Sequence, residues 1–421
     1  MIFKWSTFTY FIAALWSTLV AQNNIKSIEF AGLKRTETSY LEQFLQSREK
    51  EPLDTEKLAN DVQQLKNIAS IGNATYRLDT VGDQINLVYE VLELKTLLPV
   101  VNFGGIKGNT WFQVGFTDIN WRGKGHFLNA AYQNNDRRHS WNVYHKIPRI
   151  NASPWGYSGS ISHWASREPL FFDEGTVNYD YDNTGFGLTG IRHFGFRRNV
   201  EFGGTYFIEK YQKSALQFLE ITPGPDELTQ PKFLIKTAYT EDFLNYHLFY
   251  LDGYHWHGLL QQVYNTLDNS WFNSFQFQGR YFKRMGNRGN LATRLRLAIA
   301  TNNDTPFAPF VVDSHVNIRG VGNRIDRGTA QAVLNIEYRH TLLETNKWGA
   351  QVVGFSDLGS WRNPGGKLID IFDSDQFRHF LGGGVRIIYQ KIFGAVIRID
   401  YGIDVYNTRQ RGFVIGLGQY F

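Results

Sequence analysis

Histidine and serine side chains could in principle catalyse a reaction, but in this chain they form no familiar catalytic pattern. The 421 residues include 11 His. Neither a Gly-x-Ser-x-Gly elbow nor a His-Glu-x-x-His zinc pattern occurs in the sequence. A general base needs partners that hold it within hydrogen-bond reach of a substrate. Five of the histidines are instead scattered among aromatic-rich segments, which favours structural positions: His145, His163, His255, His257 and His315.

A short acidic segment could bind a cation. Asp180, Asp182 and Asn183 carry oxygen ligands that suit Ca²⁺, but the spaced glycine and the closing glutamate of a calcium loop are missing. A solvated loop is the simpler interpretation. We therefore predict no metal site, no cofactor and no catalytic residue.

A polar row in a different segment indicates the inner, wet face of a β-strand. Asn335, Glu337 and Arg339 are spaced at i, i+2 and i+4, so they share one face of a β-strand. Apolar residues alternate with them on the other face. Such a row belongs in a wet interior, whereas the opposite face suits an apolar environment.

The composition indicates which kind of fold positions this row. The chain has 11 Trp, 22 Tyr, 33 Phe and 40 Gly, yet its mean hydropathy is −0.35. Strands that alternate between lipid and a wet lumen reconcile these values, and aromatic girdles account for the Trp and Tyr. Residues 99–421 read as runs of about ten alternating residues separated by turns, which predicts an all-β transmembrane barrel of about 16 antiparallel strands.

The first 21 residues predict a secretory signal peptide. Lys4 supplies the positive charge, Tyr10 to Val20 is mostly apolar, and Ala21 precedes the expected cleavage point. An uncleaved membrane anchor is the alternative. The chain has no Cys, which excludes a lipoprotein acylated on cysteine. Its 44 basic and 39 acidic residues are nearly balanced, and we expect no nucleic-acid partner.

Residues 22–98 predict one small α+β domain. Ile25 to Phe30 alternates as a strand, and Glu37 to Gln46 follows as a helix. A second helix begins after the N-cap candidate Asp54, and two strands, Ala74 to Asp79 and Gln84 to Glu93, complete the order. This order, with Phe30-Ala31-Gly32-Leu33 after the first strand, resembles a POTRA domain; a generic soluble α+β module is the alternative.

The barrel segment resembles the BamA/TamA superfamily of outer-membrane assembly and translocation proteins. The resemblance rests on Ile318-Arg319-Gly320, preceded by Pro309-Phe310 and followed by Gly328, the polar strand Leu334 to Arg339, and Gly354-Phe355-Ser356-Asp357-Leu358-Gly359. Gly115 to Asn120, continuing through Gly123-Lys124-Gly125, resembles the first barrel hairpin of the family. Val321 departs from the pattern, because an aromatic residue is usual there.

This resemblance implies a loop that folds back into the barrel. Asp357 would pair with Arg319 beside Gly320 and hold the loop against the inner wall, a contact that suits arginine better than lysine. Asn335, Glu337 and Arg339 would be neighbours in the lumen. The roles implied are structural and do not include bond chemistry.

The C-terminus resembles the signal by which barrel proteins are themselves inserted. Phe413, Ile415 and Leu417 alternate before the terminal Phe421, and Gly416 stands among them. Gln419 departs from the pattern, since a hydrophobic residue is expected there. A last strand that faces lipid explains the same alternation.

The function implied is insertion of barrel proteins into the bacterial outer membrane, or translocation of polypeptide across it, with the N-terminal domain in the periplasm. The partners implied are an unfolded outer-membrane or secreted client polypeptide and the lipid bilayer, and accessory lipoproteins remain an open question. A client could add as a strand to the POTRA edge and at the barrel seam. A passive channel or structural barrel is the alternative, and an outer-membrane lipid hydrolase ranks lower.

Overall fold

The chain folds as a small α+β domain followed by a closed β-barrel. The computed structural model describes residues 24–81, 84–106, 109–135, 138–214, 223–247, 249–312, 317–321 and 326–421. The predicted signal peptide, residues 1–21, and His315 lie outside these ranges. Among the described residues, no helix is both long and apolar enough to cross a membrane.

The helices are α1 (Thr38–Glu42) and α2 (Thr55–Lys66). The strands in chain order are β1 (Asn24–Ala31), β2 (Ile71–Val81), β3 (Gln84–Glu93), β4 (Leu97–Ile106), β5 (Asn109–Trp121), β6 (His126–Asn135), β7 (Arg138–Ile147), β8 (Trp155–Phe172), β9 (Gly175–Phe194), β10 (Arg198–Lys213), β11 (Glu227–Asp242), β12 (Asn245–Tyr246), β13 (Leu251–Asn265), β14 (Ser270–Met285), β15 (Gly289–Ala300), β16 (Phe310–Val312), β17 (Asp326–Gly328), β18 (Ala330–Glu344), β19 (Trp348–Arg362), β20 (Phe377–Tyr389), β21 (Val396–Asp404) and β22 (Arg411–Leu417). Two 3-10 helices, Leu368–Phe372 and Ser374–Gln376, lie between β19 and β20.

The N-terminal domain has the predicted order of strand, two helices and two strands. Strand β3 is central, β1 runs parallel to it, and β2 is antiparallel. The helices cover one face of this sheet with a core that includes Leu41, Leu58 and Leu65. Asp54 caps α2 by accepting the backbone N–H groups of residues 56 and 57, as predicted.

Helix α1 is shorter than the predicted Glu37 to Gln46. It ends at Glu42, and a few residues later the backbone N–H groups of Gln46 and Ser47 donate to the buried carboxylate of Asp61, at 2.5 and 3.1 Å. The hydroxyl of Tyr89 donates to the same carboxylate at 2.8 Å. A buried carboxylate needs hydrogen-bond donors, and here it takes backbone N–H groups that a longer helix would use for its own hydrogen bonds.

The predicted all-β barrel is confirmed. Within the described ranges, sixteen antiparallel strands of 7 to 20 residues and the two-residue β12 follow one another in a closed ring. Strand β18 shows the alternation that the sequence predicted: the side chains of Leu334, Ile336 and Tyr338 are exposed on the outer face. The polar row between them is buried on the inner face. The barrel begins at Leu97, slightly before the expected domain boundary at 99.

The barrel wall is uneven in height. Strands β8 and β9 have 18 and 20 residues, whereas β22 has 7. Strand β22 lies beside β4, so the ring closes between the first and the last strand of the barrel. This seam therefore lies where the wall is shortest.

The N-terminal domain contacts the turns at one end of the barrel. Arg35 forms an ion pair with the buried Asp118 at 2.7 Å, and the Asn120 amide donates to the Thr36 hydroxyl at 2.8 Å. The Glu37 backbone N–H donates to the carbonyl of Gly123 at 2.9 Å. Gly123 belongs to the turn 122–125 of the segment that resembles the first barrel hairpin, and φ is positive at three of these four residues. One segment of the domain is thereby fixed against the first barrel hairpin.

Glu93, at the end of β3, holds this segment in shape. Its carboxylate accepts the backbone N–H groups of Lys34, Arg35 and Thr36, and also the Thr36 hydroxyl at 2.8 Å. Burial raises the pKa of Glu93, but these hydrogen bonds outweigh it and hold the pKa below its ordinary value. The sheet of the N-terminal domain is thus connected to its contact with the barrel.

Candidate functional site

The site is built around Arg319, which lies on the connection between β15 and β18. Strands β16 and β17 pair as a short hairpin within this connection. Ile318 is fully buried and packs against Val312, Trp361 and Phe380. Val321, which stands where the family pattern has an aromatic residue, packs against the same cluster. These apolar contacts position the connection inside the barrel beside β19.

Arg319 binds Asp357 of β19 through a two-pronged contact. Its Nε lies 2.8 Å from Oδ2 and its Nη2 lies 2.9 Å from Oδ1. The backbone N–H of Arg319 donates to the same carboxylate at 3.0 Å. Both side chains are fully buried. A guanidinium matches a carboxylate in this planar geometry, and lysine offers no equivalent fork.

Glu337 of β18 connects Arg319 to two further arginines. Arg319 donates to Glu337 through Nη1, Arg339 donates through Nε at 2.6 Å, and Arg386 of β20 donates through Nη2 at 3.2 Å. Arg386 also holds Asp400 of β21, at 2.6 and 3.2 Å. The cluster therefore links the connection to four adjacent strands of the inner wall.

Asn335 closes the cluster on the side of β15. Its amide donates to Asp357 Oδ1 at 2.8 Å and to the carbonyl of Asn317 at 2.7 Å. Its amide oxygen accepts two hydrogen bonds from Arg294, at 3.0 and 2.8 Å. Asn335 thus fixes both the wall carboxylate and the backbone of the inserted connection.

Two aromatic rings sandwich the guanidinium of Arg319. Its central carbon lies 3.6 Å from the ring centre of Phe355 and 4.4 Å from that of Tyr420. Phe355 points inward from β19, two residues before Asp357. Cation–π contacts of this kind strengthen when the cation is removed from water.

The C-terminal residues turn into the barrel, which the sequence alternation did not predict. Strand β22 ends at Leu417, Gly418 adopts a φ of +84°, and Tyr420 is 7% exposed. The carbonyl of Phe421 accepts a hydrogen bond from Arg339 at 3.1 Å. Arg398 donates to the carbonyl of Gln419 at 3.0 Å. Buried guanidinium donors thus bind the carbonyls of the chain end inside the barrel, away from its outer face.

Gly320 brings the backbone of the connection against the wall. It has a φ of +94°, and a Cβ added there would lie 2.7 Å from the carbonyl oxygen of Gly402 on β21. Glycine is required at position 320 for two reasons: the backbone there is left-handed, and the close approach to β21 leaves no room for a side chain. Gly320 and Gly402 therefore set how closely the connection approaches β21.

The structure brings together most of the residues singled out from sequence. Arg319, Asp357, Asn335, Glu337 and Arg339 form one cluster, with Gly320 and Phe421 at its edge. Gly416 lies apart on β22, where its lack of a side chain leaves room for the Arg398 guanidinium.

Several cluster residues were missed by sequence reasoning: Arg294, Arg386, Asp400, Gly402 and Tyr420. Asp400 and Gly402 alternate with apolar residues on β21 in the way that the polar row does on β18. Applying the same test to every strand would have indicated these two as inward-facing. It would not have indicated which partner each one meets.

The arrangement suits mechanical attachment. The three carboxylates of the cluster, on Glu337, Asp357 and Asp400, each pair with at least one guanidinium, so every one of these buried negative charges has a positive partner. Within the described residues, no group of three or more His, Cys, Asp or Glu side chains is placed to hold a metal ion. What the cluster provides is a rigid connection between an inserted segment and the barrel wall.

Comparisons with known proteins agree with this architecture. Residues 24–93 match the POTRA family model, described as "Surface antigen variable number repeat". A comparison with curated protein sequences found no significant match. The solved structures supply the likeness for the rest of the chain.

Three similar solved structures are one BamA and two CdiB proteins. BamA from Haemophilus ducreyi lacking POTRA domains 1–3 has 14% identity and a TM-score of 0.54, with 93% of this chain and 83% of that chain covered. CdiB from Acinetobacter baumannii has 13% identity, a TM-score of 0.55, and coverage of 95% and 74%. CdiB from Escherichia coli has 10% identity, a TM-score of 0.56, and coverage of 94% and 74%. The chain therefore has a POTRA-type domain followed by a barrel with the fold of BamA and CdiB.

Proposed function

We propose that this protein resides in the bacterial outer membrane, with its POTRA domain in the periplasm, and that it inserts barrel proteins into that membrane or moves polypeptide across it. The proposed mature chain lacks the signal peptide 1–21 and comprises the POTRA domain 22–98 and the barrel 99–421. The likeness to BamA and CdiB supports this at the level of fold. The observation that carries the proposal is that the seam between β4 and β22 is closed by a strand of only seven residues.

The seam is short, and its last strand is poorly covered. The outward side chains of β22, Phe413, Ile415 and Leu417, are 72, 70 and 65% exposed. Outward side chains of β21, which pairs with β20 and β22, are less exposed: Ile397 is 48% and Ile399 is 39% exposed. A strand that ends after seven residues offers few backbone pairs for closure. A seam held by few pairs can open and offer its edge to a client strand.

The POTRA sheet supplies a second edge. Strand β2 is an outer strand of the three-stranded sheet and has 11 residues. Tyr76 and Leu78 on this strand are 40 and 37% exposed. An extended client that adds beside β2 would satisfy its backbone hydrogen bonds before it meets lipid. Because the domain contacts the barrel turns, this edge stays near the barrel.

The buried cluster serves as a clamp in this proposal. Arg319, Gly320 and Asp357 attach the inserted connection to the wall, with Asn335, Glu337 and Arg339 as lumen neighbours. Through Tyr420 and Phe421, the same cluster also contacts the end of the chain that follows β22. The clamp therefore couples the inserted connection to the seam, and no bond chemistry or cofactor is needed.

The test is client insertion in liposomes. The full chain and its Arg319→Lys variant are reconstituted at equal density after folding of both is verified by gel mobility. A urea-unfolded client barrel is then diluted into the vesicles, and its folding rate is measured. Arg280→Lys is the matched control, because Arg280 is a half-buried arginine of β14 outside the cluster.

Faster client folding that depends on Arg319 but not on Arg280 would support the assembly function. Protected delivery of a secreted polypeptide into the vesicles would support translocation. Neither activity, together with retained solute conductance, would overturn the proposal in favour of a passive channel. Release of fatty acid would indicate a lipid hydrolase and also overturn it.

A further inference from the structure

A large apolar groove runs along the outer wall of the barrel, at the end opposite the POTRA domain. Its volume is about 1380 Å³, above the roughly 300–1,000 Å³ of ordinary small-ligand pockets. Its floor contains outward aliphatic side chains from three neighbouring strands: Leu295 and Leu297 of β15, Leu334 of β18 and Leu358 of β19. This floor is part of the surface that faces lipid in the proposed location.

The second wall of the groove is the 3-10 helix Leu368–Phe372. This segment packs on the outside of β19, where the Ser360 hydroxyl donates to the carbonyl of Ile371. Asp370 fixes its first turn by accepting the backbone N–H of Lys367 at 2.7 Å. The helix is therefore held against the barrel wall.

The apolar side chains with which this helix lines the groove are exposed. Leu368, Ile369 and Phe372 are 55, 67 and 82% exposed, on a connection that is otherwise rich in polar residues. Contiguous exposed apolar groups of this size are unfavourable in water and mark a contact surface. Their position beside lipid-facing strands places them where aromatic and aliphatic side chains meet the membrane interface.

We infer that this groove binds an acyl chain of a membrane lipid, held between the lipid-facing leucines of β15, β18 and β19 and the helix Leu368–Phe372. The floor of the groove is an extension of the lipid-facing wall and opens onto it, so the acyl chains that cover the wall also reach the groove. The far rim carries polar groups, including Asp375, Asn407 and Gln410, which limit the apolar region toward the outer end. The inference rests on the proposed location in a membrane.

Photo-crosslinking tests this site. The full chain is reconstituted in phosphatidylethanolamine and phosphatidylglycerol vesicles that contain a small fraction of phospholipid with a diazirine in its acyl chain. After irradiation, cross-linked residues are mapped by mass spectrometry. We expect yields on the helix Leu368–Phe372 about tenfold above those on an ordinary stretch of lipid-facing wall, as a preference of about 1.4 kcal/mol would give.

The reference stretch is the cross-strand pair Val143 and Ile161, which are 42 and 47% exposed on the outer wall of β7 and β8, on the far side of the ring from the groove. The variant Ile369→Ser/Phe372→Ser should reduce lipid cross-links on the leucines of the groove floor to the reference level. The matched control, Val143→Ser/Ile161→Ser, should leave the cross-links in the groove unchanged.

Equal yields in the groove and on the reference stretch would overturn the inference while leaving the membrane location intact. Cross-links that join two copies of the chain through the helix would make this face an interface between barrels, and would also overturn it. An absence of lipid cross-links at both places would contradict the membrane location itself, on which the inference depends.

Discussion

Replacing Arg319 by alanine removes both side-chain hydrogen bonds to Asp357, the contact with Glu337 and the stacking between Phe355 and Tyr420. Breaking a buried ion pair from one side costs about 3–5 kcal/mol, because the remaining charge is left without its partner. Asp357 keeps Asn335 as a donor, and Glu337 keeps Arg339 and Arg386. We therefore expect a loss near the lower end, about 3 kcal/mol of unfolding free energy.

Arg319→Lys separates the effect of charge from that of geometry. Lysine keeps a positive charge, but it loses one of the two parallel hydrogen bonds to Asp357 and the planar stacking. Since a charged hydrogen bond contributes about 1.5–3 kcal/mol, we expect a loss of about 2 kcal/mol. A double-mutant cycle of Arg319→Ala with Asp357→Ala should give a coupling energy of about 2–3 kcal/mol.

The assay is urea unfolding of the reconstituted protein, followed by the emission of the nine tryptophans in residues 99–421. Arg280→Ala is the control for loss of a lumen arginine outside the cluster. Equal changes of the unfolding free energy in Arg319→Ala and Arg280→Ala would contradict this expectation, and so would a value for Arg319→Ala within about 0.5 kcal/mol of the unsubstituted protein.

Three further outcomes are expected. Gly320→Ala should lower the unfolding free energy by about 1–3 kcal/mol, because Gly320 has a positive φ and lies against the Gly402 carbonyl. Equal urea midpoints for the variant and the unsubstituted protein would contradict this. Glu93→Gln should accelerate amide hydrogen exchange at residues 34–36, which lose carboxylate acceptors, and unchanged rates would show that Glu93 does not hold this segment. Burial raises the pKa of Tyr40, in α1, to about 12, whereas a tyrosine in the unfolded chain has a pKa of about 10. The unfolded chain therefore loses this proton first, and the unfolding free energy should fall as pH rises from about 10 to 12. The pH dependence of urea unfolding in detergent checks this, and Tyr40→Phe should reduce the decline in that window.

The sequence alone determined the parts of the fold that depend on local periodicity. Alternation with a period of two fixes which residues of a strand face the lumen, so the row from Asn335 to Arg339 and the apolar face of β18 could be predicted without coordinates. The N-cap at Asp54 and the turn 122–125 were predictable for the same reason, since each depends on a few consecutive residues. The likeness to the superfamily supplied the expectation that Arg319 meets Asp357.

Only the tertiary structure decided what these residues meet across the barrel. Arg386 and Asp400 join Glu337 because β18, β19, β20 and β21 curve around one inserted connection, and no local pattern encodes that curvature. Tyr420 reaches Arg319 because Gly418 takes a left-handed turn and buried arginines bind the last carbonyls, although alternation along β22 would have directed Phe421 outward. Local spacing sets the face of a side chain, whereas its partner depends on how distant segments close upon each other.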